Sequence, residues 1–325
     1  MTPRFNLDIK KMMNKPKKSL GQNFLKSEKI AQEIVEAGEV CSDDIVLEVG
    51  PGKGILTEEL LKKAKKVIAV EKDEQLAEFL KTKFCDSIKV SSLEVFDGDI
   101  LKFDPKSYNL EPNNYKLIAN IPYYITSHLL RIFLESDNQP SMMVLMVQKE
   151  VAERIAGIKG GAKQNFSRFT LPRSAAGSDA SPQEYFLFSN SLHSQENNVA
   201  QNFALPRPSA NKESLLSISV KAYGQPKIIR KVPAGFFSPA PKVDSAVLKI
   251  SNISKNFFQN ISEKKFFETV KKGFSQKRKM LINNLKADKE AFKACNIEEK
   301  ARAEDVSLEQ WKCLSNPALF MLEQK

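Results

Sequence analysis

The chain has 325 residues, 42% of them hydrophobic, which is enough for one large core and a smaller module. Lysine and arginine total 50 against 39 aspartates and glutamates; the formal charge of +11 favours a polyanionic partner over a small metabolite, although a basic excess also serves solubility. The four cysteines, Cys41, Cys85, Cys295 and Cys313, lack C-x-x-C spacing, which argues against structural zinc and against a disulfide framework.

The lysine-rich N-terminus has no apolar stretch behind it, and the most apolar run, residues 142–147, is too short for a bilayer. A soluble, cytoplasmic protein with no membrane partner is therefore expected. From residue 45 onward, short apolar runs alternate with helix-like segments, the signature of a parallel sheet covered on both faces. Strands are predicted at 45–49, 67–70, 93–96, 117–119 and 142–147, with helices at 56–63, 74–84 and 126–135 between them. Residues 157–213 are polar, aperiodic and loosely repetitive: Gln164-Asn165-Phe166 and Leu171-Pro172-Arg173 return as Gln201-Asn202-Phe203 and Leu205-Pro206-Arg207. Such a stretch reads as a disordered insertion, with an RNA-reading subdomain as the competing reading. Apolar runs at 228–232 and 243–250 suit an antiparallel pair closing the sheet. Beyond them, 263–275, 280–285, 289–295 and 308–314 read as helices. The expected architecture is α/β, with a Rossmann-like domain over 1–253 and a small all-helical domain over 254–325.

A glycine turn, Glu48-Val49-Gly50-Pro51-Gly52-Lys53-Gly54, follows the first strand, where backbone can approach a ligand at a helix N-terminus. Its G-x-G-x-G spacing departs from the G-x-G-x-x-G of dinucleotide sites. Glu48 would repel a pyrophosphate but suit the ammonium of an amino-acid end, so a sulfonium cofactor, S-adenosylmethionine, fits better. Glu71 closes the second strand, where it can accept ribose hydroxyls, and Asp99 closes the third, where it can accept an adenine amine. Each acid alone could be a surface charge or a helix cap. Together they stand at successive strand C-terminal ends, where open α/β sheets bind ligands.

The fourth strand ends in Asn120-Ile121-Pro122-Tyr123, an amide, a proline-fixed carbonyl and an aromatic face at one sheet edge. The lone pair of an adenine N6 is delocalised into its ring, so catalysis must favour a more tetrahedral nitrogen. The Asn120 oxygen and the Ile121 carbonyl can take the two N6 hydrogens while Tyr123 stacks on the base. No general base is needed, and the two histidines, His128 and His193, have no metal-ligand neighbours in the sequence; no metal is expected.

Over nearly all of the chain outside the insertion, these blocks closely resemble the small-subunit ribosomal RNA adenine dimethyltransferases. The resemblance rests on residues 18–25 (KSLGQNFL), on 48–54, on 120–123, on 237–247 (FSPAPKVDSAV) and on 276–285 (QKRKMLINNL). It implies that Asn23, Leu25, Gly50, Gly52, Glu71, Asp99 and Asn120 contact S-adenosylmethionine. It also implies that Tyr123 and Phe237 sandwich the target adenine. A basic helix carrying Lys277, Arg278 and Lys279, with Lys271 and Lys272 before it, is expected on rRNA phosphates. The implied activity is transfer of two methyl groups to each of two adjacent adenosines near the 3′ end of small-subunit rRNA, by a monomer acting on an assembling small subunit. The macrolide-resistance methyltransferases of large-subunit rRNA are the alternative within the class, and a non-catalytic ribosome assembly factor the alternative outside it. Two departures stand out: Tyr124 where the family usually has Asn, and the absence of the usual Tyr-Gly near Ser214.

Overall fold

The computed structural model describes residues 16–17, 20–157 and 212–316, so the expected insertion at 157–213 lies almost wholly outside the described residues. In chain order the structure runs β1 (Phe24–Leu25), α1 (Glu28–Ala37), β2 (Ile45–Val49), α2 (Ile55–Leu61), β3 (Lys66–Glu71), α3 (Glu74–Lys83), α4 (Cys85–Lys89), β4 (Leu93–Asp97), β5 (Tyr115–Asn120), α5 (Thr126–Glu135), β6 (Met142–Gln148) and α6 (Lys149–Ala156). It continues with α7 (Leu215–Lys221), β7 (Gln225–Val232), β8 (Phe237–Ser238), β9 (Ser245–Ser251), α8 (Glu263–Phe274), α9 (Leu281–Leu285), α10 (Lys289–Ala294) and α11 (Leu308–Leu314). Over the described residues the chain divides into two compact units, Met1–Ala152 with Gly224–Ser254 and Glu153–Tyr223 with Lys255–Lys325. Helix α7 falls in the second unit with the C-terminal helices.

The first unit is built on a seven-stranded sheet of order β4-β3-β2-β5-β6-β9-β7. β2 lies between β3 and β5, parallel to both, while β9 runs antiparallel between β6 and β7. The strands from β2 to β6 are rich in Val, Ile, Leu and Met because helices cover both sheet faces. Helix α5 buries Thr126, Leu129, Leu130, Phe133 and Leu134, a stripe at the 3, 4, 7 spacing of one helix face. Helix α1, which the sequence reading did not include, is started by Ser27, whose side chain accepts the Ile30 amide, and buries Ile30, Ala31, Ile34 and Val35. Each such aliphatic side chain stabilises the fold by about 1.5–3 kcal/mol. Because the connections from β2 leave toward β3 on one side and β5 lies on the other, a crevice opens at the C-terminal ends of these strands. The short antiparallel pair β1–β8 sets Leu25 opposite Phe237.

In the second unit, α7 begins at Ser214, which forms a capping box with Ser217 where the family's Tyr-Gly is missing. Just after α7, the Tyr223 ring packs on Phe258 and Phe267, at 5.2 and 5.9 Å between centroids. Trp311 of α11 is fully buried and stacks on Phe274 of α8 at 5.6 Å. It fits over Gly273, where a Cβ would meet the indole at 2.3 Å. Cys295 and Cys313, 18 residues apart, form a disulfide, against the expectation drawn from the cysteine spacing that disulfides would play no part. No local motif marks the pair; the ends of α10 and α11 bring the two Cα atoms to 5.6 Å. The expected basic helix is also shorter than read: residues 276–280 form a turn and only Leu281–Leu285 is helical. The Asn284 side chain donates to the carbonyls of Gly273 and Gln276, satisfying the end of α8 and stopping it there. Among the described residues no helix is long and apolar enough to cross a membrane.

Candidate active site

The glycine turn connects β2 to α2. Gly52 has φ +59°, and a Cβ there would meet the Phe24 ring at 3.0 Å. Gly54, the residue before α2, has φ +77°, and a Cβ there would meet Phe84 at 2.7 Å. Only glycine combines this left-handed backbone with such close approach. The turn is held from beneath by Glu71 at the end of β3, whose carboxylate accepts the Gly52 amide at 2.9 Å and the Asp73 amide at 2.9 Å.

Asn23, Leu25, Gly50, Gly52, Glu71, Asp99, Asn120, Ile121, Pro122 and Tyr123 all line one cavity at the C-terminal ends of β2, β3 and β5. Phe237 alone of the expected catalytic set does not line it. Its ring is 2% exposed and belongs to the core with Leu25, Val232 and Val247. The extended backbone of β8 explains this placement, since alternate side chains face opposite ways and Ser238 takes the solvent side. Tyr124, the departure from the family pattern, stands at the cavity edge and is exposed.

Glu48 corrects another expectation. It is fully buried, does not line the cavity, and lies beside the Thr57 hydroxyl of α2, with neither carboxylate oxygen hydrogen-bonded. Burial pushes its carboxyl up to about 8, with Thr57 opposing and the neighbouring Glu71 adding to the shift, so at neutral pH it is mostly protonated and a poor partner for an ammonium. Burial also raises the Glu71 carboxyl, although its two backbone amide donors oppose the shift. For Asp99 burial is outweighed by the Lys72 ammonium and the Leu101 amide, which hold it below the usual carboxylate value. Lys72 lies 2.6 Å from Asp99. His128, half-buried in α5, is held below the usual imidazole value by burial and by Arg131. Among the described residues no three His, Cys, Asp or Glu side chains group as metal ligands.

The sequence reading did not single out Lys72 or Asp73. Asp73 is 4% exposed and receives Lys17 Nζ at 2.7 Å and Gln22 Nε2 at 2.8 Å, while its side chain also caps α3 through the Gln75 amide. It thus fastens the segment that carries Asn23 and Leu25 to the strand end that carries Glu71. An Asp directly ahead of a helix signals a cap, but not this second duty. The donor set fits S-adenosylmethionine: each Glu71 oxygen keeps acceptor capacity beyond its single amide, as ribose hydroxyls require, and Asp99 remains an ionised acceptor.

The basic residues of the second unit divide in two. Lys277, Arg278 and Lys279 are exposed in the turn after α8. Lys272 instead donates to the Leu285 carbonyl at 2.7 Å and closes the end of α9, and Lys271 lies beside it in the last turn of α8. Although its side chain as a whole is exposed, partial desolvation of its ammonium, with Arg154 and Lys212 nearby, lowers Lys277 from its usual value.

Residues 13–176 and 195–318 match the family described as ribosomal RNA adenine dimethylase. The ribosomal RNA small subunit methyltransferase A of Dehalococcoides mccartyi strain 195 is 36% identical, with 96% of this chain and 93% of that protein covered. The protein of the same name from Clostridium perfringens strain SM101 is 33% identical, over 92% of this chain and 89% of its own length. Two solved structures share the fold. The 23S rRNA methyltransferase ErmE matches with TM-score 0.63 at 23% identity, covering 90% of this chain and 98% of its own. A dimethyladenosine transferase from Plasmodium falciparum matches with TM-score 0.62 at 24% identity, covering 90% and 95%.

Proposed function

This chain belongs to the ribosomal RNA adenine dimethylase family, and from that premise we propose that it dimethylates N6 of two adjacent adenosines near the 3′ end of small-subunit rRNA. Its first unit has the Rossmann-like fold of class I S-adenosylmethionine-dependent methyltransferases. The observation that carries the reading is convergence: Asn120 to Tyr123 at the end of β5 open on the same cavity as Glu71, Asp99 and the glycine turn.

S-adenosylmethionine supplies an electrophilic methyl group on a sulfonium. The chain's own groups do the rest. Glu71 accepts the ribose hydroxyls, Asp99 the amine of the cofactor's adenine, and Asn23, Leu25, Gly50 and Gly52 close around it. At the other end of the cavity the Asn120 side-chain oxygen and the Ile121 carbonyl accept from the two N6 hydrogens of the target base. That draws the nitrogen toward a tetrahedral shape in which its lone pair is free to attack. Tyr123 stacks on the base and fixes its plane. The second face, which the family resemblance assigns to Phe237, falls on a ring that is core-buried in this structure. The product amine carries a positive charge and sheds a proton to solvent without a base.

Lys277, Arg278 and Lys279 take rRNA phosphates; of the two lysines before them, Lys271 joins that basic surface, while Lys272 is engaged with the Leu285 carbonyl. The remaining readings are an assembling small subunit as the physiological substrate, a monomeric enzyme and a cytoplasmic location. Incorporation of tritiated methyl groups into small subunits lacking the modification, followed by nucleoside analysis, tests the assignment. N6,N6-dimethyladenosine at two neighbouring positions is expected. Label appearing only in large-subunit rRNA, or none at all, overturns it.

A further inference from the structure

We propose that Ser245 is a positioning residue for the methyl-transfer reaction, its buried hydroxyl holding the Tyr123 ring in the plane that the target base must meet. The inference rests on the reading of Tyr123 given above and deepens it.

Tyr123 opens a short 3-10 turn after Pro122, ahead of α5. A ring on such a turn is anchored at its Cα alone, and its side-chain torsions stay free unless something holds the far end. The Tyr123 hydroxyl lies 2.6 Å from Ser245 Oγ, a residue 122 positions away in the chain. Ser245 is 0% exposed, and Tyr123 is the only hydrogen-bond partner of its side chain among the described residues. The serine is itself rigidly placed. It begins β9, and its backbone stands in register with Gln148 of β6 on one side and Val232 of β7 on the other. The bond therefore ties a cavity-lining ring to a serine held between two neighbouring strands in the antiparallel half of the sheet.

The neighbouring residue strengthens the arrangement. Asp244 Oδ1 accepts the Ala234 amide at 3.1 Å, and its carbonyl accepts the Lys149 amide at 3.0 Å, so the chain entering Ser245 is fastened on two sides. Burial raises the Tyr123 phenol above its ordinary value, with the Ser245 bond opposing and Asp244 adding to the shift, so the hydroxyl stays protonated and works as a fixed dipole and not as a base. A stacking ring contributes to rate only in a near-attack orientation, and a small loss of alignment lowers the rate without changing how tightly the substrate binds through distant phosphates.

The bland alternative is that Ser245 merely satisfies a buried phenol. The two differ in what the variants do to rate and affinity. Ser245→Ala, Ser245→Thr, Tyr123→Phe and the Tyr123→Phe/Ser245→Ala pair are compared by single-turnover methylation of unmodified small subunits at saturating cofactor, alongside subunit affinity and thermal melting. Ser245→Ala is expected to lower the rate about five- to tenfold at unchanged affinity, and Ser245→Thr to restore it. Tyr123→Phe should show the same loss, and Ser245→Ala should add nothing in that background. Wild-type rate in Ser245→Ala, or rate losses that multiply in the double variant, overturns the proposal. If Ser245→Ala fails to fold, Tyr123→Phe removes the same bond while keeping the ring, and wild-type rate there is equally fatal. Tyr123→Ala separates the two levels: a slow Tyr123→Ala with unimpaired Tyr123→Phe and Ser245→Ala sinks only the role of Ser245, whereas a fast Tyr123→Ala sinks the active-site reading beneath it.

Discussion

The carboxylate of Glu71 accepts the backbone amide of Gly52 at 2.9 Å, so the acid at the end of β3 also fixes the shape of the turn after β2. The residue assigned to the ribose and the turn assigned to close backbone approach are thus one mechanical unit. Glu71→Ala is expected to weaken S-adenosylmethionine binding by about 1–3 kcal/mol, roughly five- to 150-fold. Because burial raises the Glu71 carboxyl, affinity should also decline as pH falls into the acid range and the acceptor is neutralised. Calorimetric titration of the variant checks this; unchanged affinity removes Glu71 from the cofactor site.

Asp73 offers a way to loosen the N-terminal cover without damaging α3. Asparagine is as good a helix cap as aspartate, so Asp73→Asn should keep the Gln75 amide satisfied while losing the Lys17 charge pair. Lys17 is 42% exposed on its side chain, so solvent screens the pair and the effect should be modest, a cofactor off-rate raised about two- to fivefold. Asp73→Ala loses the cap as well and should cost about 1 kcal/mol of stability. Stopped-flow displacement and thermal melts distinguish the two; equal off-rates in wild type and Asp73→Asn would show that the latch does not govern release.

The split among the basic residues predicts different phenotypes for neighbours in sequence. Charge reversal at Lys277, Arg278 and Lys279 together should weaken RNA binding and flatten the log–log salt dependence by about 2–3 units, since fewer counterions are released. Lys272→Ala should instead lower stability by about 1 kcal/mol through the lost bond to Leu285, with a near-normal salt slope. A salt slope that responds to Lys272 and not to the exposed three would invert the assignment.

Much of this arrangement was legible in the chain, and what was not shares a physical cause. Strand β2 and helix α5 match the reading to the residue because their apolar patterns end abruptly at glycine and at polar turns. That Glu71, Asp99 and Asn120 line one cavity was legible because a parallel sheet puts successive strand ends on one edge. Glu48 misled for the same reason: β2 is buried on both faces, so the position of an acid along it does not tell which face it turns to. The Cys295–Cys313 bridge, the Tyr123–Ser245 bond and the Lys17–Asp73 pair all join distant segments. No local spacing encodes such pairs; only the packed fold does.

Asn120 should act on the chemical step. Removing one preorganised acceptor costs on the order of 3 kcal/mol, about a hundredfold in rate. Subunit affinity should hardly change, because phosphate contacts elsewhere dominate it. Single-turnover methylation by Asn120→Ala checks this, and a defect that disappears when more subunit is added would mean that Asn120 serves binding instead.

Glu48 makes a prediction about stability that is independent of activity. Its carboxyl titrates near the ordinary value of 4.5 in an unfolded chain and at about 8 in the folded one. Between those values the folded state holds a proton that the unfolded state has released, so the contribution of this group is full below the lower value and is lost as pH rises toward the upper one. The loss amounts to about 1.4 kcal/mol per pH unit, on the order of 4 kcal/mol across the window. Glu48→Gln keeps the shape and removes the proton equilibrium. Relative to wild type, the variant should gain stability steadily from about pH 5 to about pH 8, with little further change above. Urea unfolding of both proteins at several pH values across this range measures the difference directly. Parallel curves would mean that the buried carboxyl is ionised in the fold, and that Thr57 or a partner beyond it supplies the missing hydrogen bonds.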